Sequence, residues 1–184
     1  MSLTIRKAET SDLPVMTEIY RHSVETGTSS YELNPPDLTE MRRRYEANLD
    51  LGYPYFVAEE DGVVLGYAYA GSFRSRPAYR WTVEDSIYLA PEAQGKGIGY
   101  QLLVALVDCC EELGFRQILA IIGGASPASI AVHRKAGFED AGVMKATGHK
   151  HGQWLDTVIM QKALGESATT QPDMDAYPGN QYKG

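Results

Sequence analysis

Ser86-Ile87-Tyr88-Leu89-Ala90-Pro91-Glu92-Ala93-Gln94-Gly95-Lys96-Gly97-Ile98-Gly99 is the stretch that decides the fold. Its first four residues continue a β-branched and aromatic run that starts at Arg80, and Pro91 stops it. A glycine-rich turn follows at 94–99, and then Leu102, Leu103, Leu106, Cys109, Cys110 and Leu113 recur at helical spacing until Gly114. Glycines let backbone N–H groups come close to an anion, and the helix N-terminus adds its positive dipole end. Lys96 contributes one more positive charge, so a phosphate or pyrophosphate is the expected guest of Gln94, Gly95, Lys96, Gly97, Ile98 and Gly99. A tight reversing turn is the plainer alternative. No Ser or Thr follows Lys96, which disfavours the nucleoside-triphosphatase loop, and glycines at 95, 97 and 99 do not match the dinucleotide spacing.

Upstream, Leu3–Ala8 predicts a strand. Leu13, Met16, Ile19 and Tyr20 predict an amphipathic helix, with Thr10-Ser11-Asp12 offering capping oxygens and Pro14 tolerated in the first turn. A Ser/Thr/Gly/Pro-rich loop runs from Thr26 to Pro36, and a second helix follows at about Leu38–Leu49. Tyr55–Glu59 and Val63–Tyr69 read as strands joined by Asp61-Gly62, a strong hairpin signal. Downstream, Phe115–Ile122 reads as a strand, Ser126–Ala136 as a helix, and Glu139–Thr147 and Gln153–Gln161 as closing strands. The order βαα, meander, βαβαββ makes the chain a mixed α/β domain over residues 1–164. After Gly165 there is no Leu, Ile, Val or Phe, so residues 165–184 are expected to form a flexible or partner-dependent tail.

The 184 residues carry 17 basic and 24 acidic side chains, a net charge of −7 that argues against an extended nucleic-acid interface. No run of 18 apolar residues exists, and no secretory signal is apparent, so no membrane partner and a cytoplasmic location are expected. The only cysteines, Cys109 and Cys110, are adjacent, cannot staple distant segments, and read as core residues of a protein in a reducing compartment.

The glycine turn matches the Q/R-x-x-G-x-G/A acetyl-CoA loop of the GCN5-related N-acetyltransferases (GNAT), and the resemblance extends over residues 3–162. It includes Ser86-Ile87-Tyr88-Leu89 and the late block from Ser129 to Phe138. Within that superfamily the chain resembles the phosphinothricin and methionine sulfoximine acetyltransferases, through Phe73–Ser86 and through His149-Lys150-His151-Gly152-Gln153-Trp154-Leu155-Asp156. The resemblance implies a mostly antiparallel mixed sheet with a splayed central strand pair and flanking helices. It implies acetyl-CoA as acetyl donor, a small amino-acid-like amine as acceptor, direct transfer in a ternary complex, and a homodimer.

Residue by residue, the resemblance implies Glu84 as general base, favoured over Asp85, which strand alternation turns to the other face. His133 falls where many GNAT enzymes place a tyrosine acting on the departing thiolate; an imidazole could donate that proton, or serve a structural purpose. Ile87, Tyr88 and Leu89 correspond to the strand that pairs with the pantetheine arm. Arg74 and Arg76 suit the acceptor carboxylate, with Ser75, Asp85 and Ser86 beside them and Tyr31 walling the site. Solvent-facing charge and packing against the first helix are the alternatives for the arginines and Tyr31. Tyr79 and Trp81 read as rim and core. Relatives commonly carry an asparagine where this chain has Ser126, which can cap the helix but reaches less far toward the cofactor. His149 and His151 make a weak metal signal and no metal is assigned. A peptide N-terminus or polyamine as acceptor, or a non-catalytic CoA-binding sensor, are the competing functions.

Overall fold

The computed structural model describes residues 3–182. In chain order the elements are β1 (Leu3–Lys7), α1 (Leu13–Thr26), α2 (Leu38–Asp50), β2 (Tyr55–Glu60), β3 (Val63–Ser72), β4 (Thr82–Leu89), α3 (Ile98–Leu113), β5 (Gln117–Gly123), α4 (Pro127–Lys135), β6 (Glu139–Lys150) and β7 (Gln153–Ala163). The strands form one sheet in the order β1-β2-β3-β4-β5-β7-β6. Only β4 and β5 run parallel; every other neighbouring pair is antiparallel. The mixed sheet expected from the element order, mostly antiparallel as the resemblance implies, is the one observed.

The β4–β5 pair is short. It begins at Thr82↔Gln117 and ends at Asp85↔Ala120, while β4 stays paired with β3 as far as Leu89↔Gly66. Ser86–Leu89 therefore have a strand on one side only. Close packing holds β4 on β3: a side chain on Gly66 would run into Leu89 and come within 2.8 Å of the Tyr88 carbonyl. Tyr20 of α1 packs edge-on against Tyr88 at 4.8 Å, whereas His133 of α4 reaches Asp85. Residues 85 and 88 point to opposite sheet faces, so α1 and α4 cover opposite sides of the split strand pair.

Apolar burial on both faces drives the assembly. Leu102, Leu103 and Leu106 of α3 are fully buried, as the periodicity predicted, and Cys110 joins them. On the α1 side the core is aromatic: Tyr55 stacks on Tyr69 at 4.6 Å and on Tyr67 at 6.0 Å, with Tyr45 edge-on. Gly114 closes α3 with φ +97, and Asp61-Gly62 turns the β2–β3 hairpin with φ 51 and 82.

Several boundaries differ from expectation, with β3 running on to Ser72 and β5 starting at Gln117 among them. β4 starts at Thr82, because Pro77–Tyr79 form a short 3₁₀ turn with Pro77 in its first turn. Thr10–Asp12 form another such turn, and Asp12 accepts from the Glu9 N–H and pairs with Arg6 instead of capping α1. β6 continues to Lys150, past two register shifts against β7 at Asp140/Gly142 and Met144/Gly148.

Residues 165–182 lie against the domain. The composition of this segment offered no aliphatic anchor, yet Tyr177 is buried, edge-on to Trp81 at 5.5 Å. The Arg80 guanidinium lies over the Tyr177 and Tyr182 rings. The Asn180 N–H donates to the Leu51 carbonyl at 2.8 Å, and the Tyr182 hydroxyl donates to the Arg74 carbonyl at 2.7 Å. Tyr177→Ala removes the one buried ring of this segment. It is expected to speed limited proteolysis between residues 166 and 182 by at least tenfold while the preceding domain stays intact; an unchanged cleavage rate would show that the ring does not hold the segment.

Candidate active site

Where β4 and β5 part, two cavities open and share Ser29, Ile87, Tyr88, Ser129 and His133 as common lining. The larger, of about 700 Å³, lies against the glycine turn. Gln94, Gly95, Gly97, Gly99 and Leu89 line it, with Ser126 opposite. Gly95 and Gly97 hold φ +73 and +79, a left-handed backbone that a side chain strains, and the space around both is open. No side chain caps α3, so the N–H groups of its first turn are free for an anion. Ile98 is buried in the core and Lys96 stands exposed; neither side chain lines the cavity. Ser126 caps α4 by accepting from the Ser129 N–H at 3.4 Å.

The second cavity, of about 500 Å³, is lined by Glu84, Asp85, Ser86, Tyr31 and Tyr69, with Met144, Thr147 and Thr157 from the β6–β7 hairpin. Burial, reinforced by the charge of neighbouring Asp85, pushes the Glu84 carboxyl up to about 7 against the pull of Arg74. A carboxylate that takes a proton near neutrality is suited to general-base work. Asp85 points the other way: its Oδ1 lies 3.1 Å from His133 Nε2, and its Oδ2 is buried without a partner. His133 Nδ1 lies 2.7 Å from the Ser129 carbonyl and 3.3 Å from the Ser129 hydroxyl, so both ring nitrogens have protein partners.

Tyr31 is the hub of one wall of this smaller cavity. Its hydroxyl bonds the Thr157 hydroxyl at 2.7 Å, donates to the Asp156 carbonyl at 3.1 Å and accepts from the Gly124 N–H at 3.3 Å. Glycine is required where this loop crosses the sheet: a side chain on Gly148 would sit 2.7 Å from the Tyr31 ring, and one on Gly123 would sit 2.7 Å from the Ser29 carbonyl. Lys150, buried, donates to the Ser30 carbonyl at 2.8 Å and fixes the loop from below.

Of the residues expected to hold an acceptor carboxylate, Arg74, Ser75 and Arg76 lie on the exposed β3–β4 loop outside the cavity lining, and Arg74 is near enough for its charge to act on Glu84. Tyr79 is exposed and Trp81 half-buried. Sequence reasoning did not single out Tyr69, Met144, Thr147, Thr157, Ser129 or Lys150. Only Tyr69 carried a local signal, by strand alternation with Tyr55 and Tyr67; the others come from segments far apart in the chain. His149 packs on Trp154 and His151 bonds the Gly27 carbonyl, and among the described residues no group of three potential metal ligands occurs.

A glycine turn at an uncapped helix N-terminus, a parallel strand pair that opens, and a carboxyl whose proton affinity burial raises meet at the split. Residues 16–138 match the acetyltransferase (GNAT) family, and the chain belongs to that family as an N-acetyltransferase. Over 92% of its length it is 50% identical to the phosphinothricin N-acetyltransferase of Alcaligenes faecalis, covering 87% of that protein. It is 41% identical to the L-methionine sulfoximine/L-methionine sulfone acetyltransferase of Salmonella typhimurium, over 90% of this chain and 97% of that one. The fold matches the crystal structure of a phosphinothricin acetyltransferase from Sinorhizobium meliloti in complex with AcCoA, with a TM-score of 0.95, 56% identity and 97% of each chain covered.

The Glu84 carboxyl can be followed directly. ¹³C NMR of glutamate-labelled protein is expected to show one carboxyl titrating near pH 7, protonated below and ionised above, that vanishes in Glu84→Gln. A Glu84 signal titrating near 4.5 would remove the basis for its role.

Proposed function

We propose that the chain transfers the acetyl group of acetyl-CoA to the α-amine of a small amino-acid analogue of the phosphinothricin, methionine sulfoximine or methionine sulfone type, by direct transfer in a ternary complex. The observation that carries this reading is the placement of Glu84 in a cavity that shares a wall with the glycine-turn cavity. Relatives named for these acceptors and for AcCoA binding support it.

The residues present fit the donor. Gly95 and Gly97 leave room for phosphate oxygens, and the uncapped first turn of α3 offers N–H donors. Beyond Asp85 the backbone of Ile87, Tyr88 and Leu89 has no strand partner on its β5 side and is free to bond an extended arm. When bound, acetyl-CoA supplies an acetyl group activated as a thioester.

Glu84, charged above about pH 7, accepts the proton of the arriving ammonium and leaves a neutral amine. The unpaired N–H groups of β4 polarise a carbonyl oxygen brought to the split. As the amine nitrogen bonds the acetyl carbon the carbon–sulfur bond breaks, and the proton that the new amide nitrogen sheds goes to the departing thiolate. Tyr31, Met144, Thr147 and Thr157 enclose the acceptor and hold it beside Glu84, so orientation supplies a share of the rate. Arg74, whose charge already reaches Glu84, meets the acceptor's anionic groups at the cavity edge.

Free thiol is expected to appear from acetyl-CoA when L-methionine sulfoximine or L-phosphinothricin is added, and Glu84→Gln is expected to lower the rate by about 10²-fold or more. kcat/KM for the amine should fall as pH drops through about 7, where Glu84 protonates. An unchanged rate in Glu84→Gln removes Glu84 as base, and no amine-dependent release with bound acetyl-CoA removes the acceptor class.

The same reading includes a homodimer in the cytoplasm. Val143, Met144 and Trp154 are exposed on the β6–β7 hairpin at the sheet edge, an apolar set suited to a second copy of this chain. Cys109 and Cys110 are free thiols, in keeping with a reducing compartment. Sedimentation is expected to give twice 20.3 kDa, and Trp154→Glu to shift it toward a single chain.

A further inference from the structure

The helix α4 forms one wall of the larger cavity through Ser126, Ala128, Ser129 and Val132. It is nine residues long, and His133 is its one buried residue. That single buried side chain ends on Asp85, and Asp85 is the last β4 residue paired with β5. The contact thus sits at the apex of the split, where the two strands part and the two cavities meet.

We propose that Asp85 is a positioning residue: through an ion pair with an imidazolium at His133 it pins α4 across the point where β4 and β5 part, and so sets the passage between the two cavities. The protonation state follows from geometry. Nδ1 faces the Ser129 carbonyl at 2.7 Å and Nε2 faces the Asp85 carboxylate at 3.1 Å. The Ser129 hydroxyl lies farther from Nδ1, at 3.3 Å, and can donate or accept. The two nearer partners are acceptors, and a neutral imidazole carries one N–H, so the imidazolium is the form that gives each of them a donor. Among the described residues the other Asp85 oxygen has no hydrogen-bond partner, so the His133 ring is the one side chain that bonds this carboxyl.

Phe138 meets the His133 ring edge-on at 5.0 Å. The titratable groups that face the pair are Glu84 on the same strand, Cys110 on α3 with its thiol pushed up by burial, and Tyr31 and Tyr69 across the smaller cavity. β5 and β7 present Ala120 and Thr157. Asp85 raises the His133 ring above its ordinary value, overcoming the burial that would lower it. With both nitrogens committed, His133 does not hand a proton to a leaving group; it acts through its place and its charge.

This inference leans on the proposed acetyl transfer only for its kinetic consequence, and its first test needs no turnover. ¹⁵N NMR of histidine-labelled protein, with His133 assigned by its loss in His133→Gln, is expected to show both ring nitrogens protonated through neutral pH. In Asp85→Asn the same ring is expected to be neutral at pH 7, titrating below the usual value of about 6.5. A wild-type His133 that is neutral at pH 7, or one unmoved by Asp85→Asn, overturns the ion pair.

The positioning role is tested by acetyl-CoA binding measured calorimetrically with Asp85→Asn, His133→Gln and the double variant. Each single change is expected to weaken binding about tenfold, and the double variant no more than either single one, because each breaks the same pin. Multiplying effects, or unchanged acetyl-CoA binding in both single variants, overturns it. These outcomes stand whether or not the amine acceptor of the proposed function is correct.

Discussion

Everything at the site depends on one break in hydrogen bonding: β5 leaves β4 after Asp85↔Ala120. Up to that pair the parallel strands satisfy each other, and beyond it β4 is held by β3 alone. A strand deprived of a neighbour in the middle of a sheet exposes backbone donors and acceptors that require partners. The opening also drives apart the residues that line it, and both cavities are consequences. The glycine turn follows the freed segment in the chain, so the turn and the unpaired backbone border the same cavity.

The break is maintained by packing rather than by a flexible linker. Gly66 allows Leu89 and the Tyr88 carbonyl to lie flat against β3, and Tyr20 presses on Tyr88 from the α1 face. On the opposite face α4 closes on Asp85 through His133. Farther out, Gly123 and Gly148 let the loop after α1 cross the sheet at van der Waals distance, which brings Tyr31 onto Thr157. Glu84 owes its unusual proton affinity to this enclosure: desolvation raises it, the adjacent carboxylate adds to that, and Arg74 subtracts.

What was legible in the sequence were features written within a few residues. Asp61-Gly62, Gly114 and the 94–99 turn declare themselves because their backbone geometry depends on local chemistry. The period of Leu102, Leu103, Leu106 and Cys110 marked the buried face of α3 for the same reason. Glu84, and Asp85 on the opposite face, followed from alternation along one strand once a resemblance had marked the strand. The partners of these residues were not legible. Tyr31 and Thr157 are 126 positions apart, Lys150 and Ser30 120 apart, and nothing in either neighbourhood announces the other. The extension of β6 to Lys150 was hidden by its register shifts, which break the alternation a strand shows in sequence. The packing of residues 165–182 was missed because aliphatic residues were counted, whereas Tyr177 and Tyr182 anchor the segment through rings and through Arg80.

The two cavities draw on different parts of the chain beyond the split, with the loop after α1 reaching both. The end of α1, the glycine turn, the start of α3 and the first half of α4 line the larger one with residues 27–29, while Tyr31 and its neighbours and the β6–β7 hairpin contribute most of the walls around Glu84 that are not β4 or β5. Only a handful of residues at the split belong to both. A lineage carrying this scaffold can therefore exchange Met144 or Thr147 on the hairpin, generation after generation, and reshape the walls around Glu84 while the glycine turn is inherited untouched.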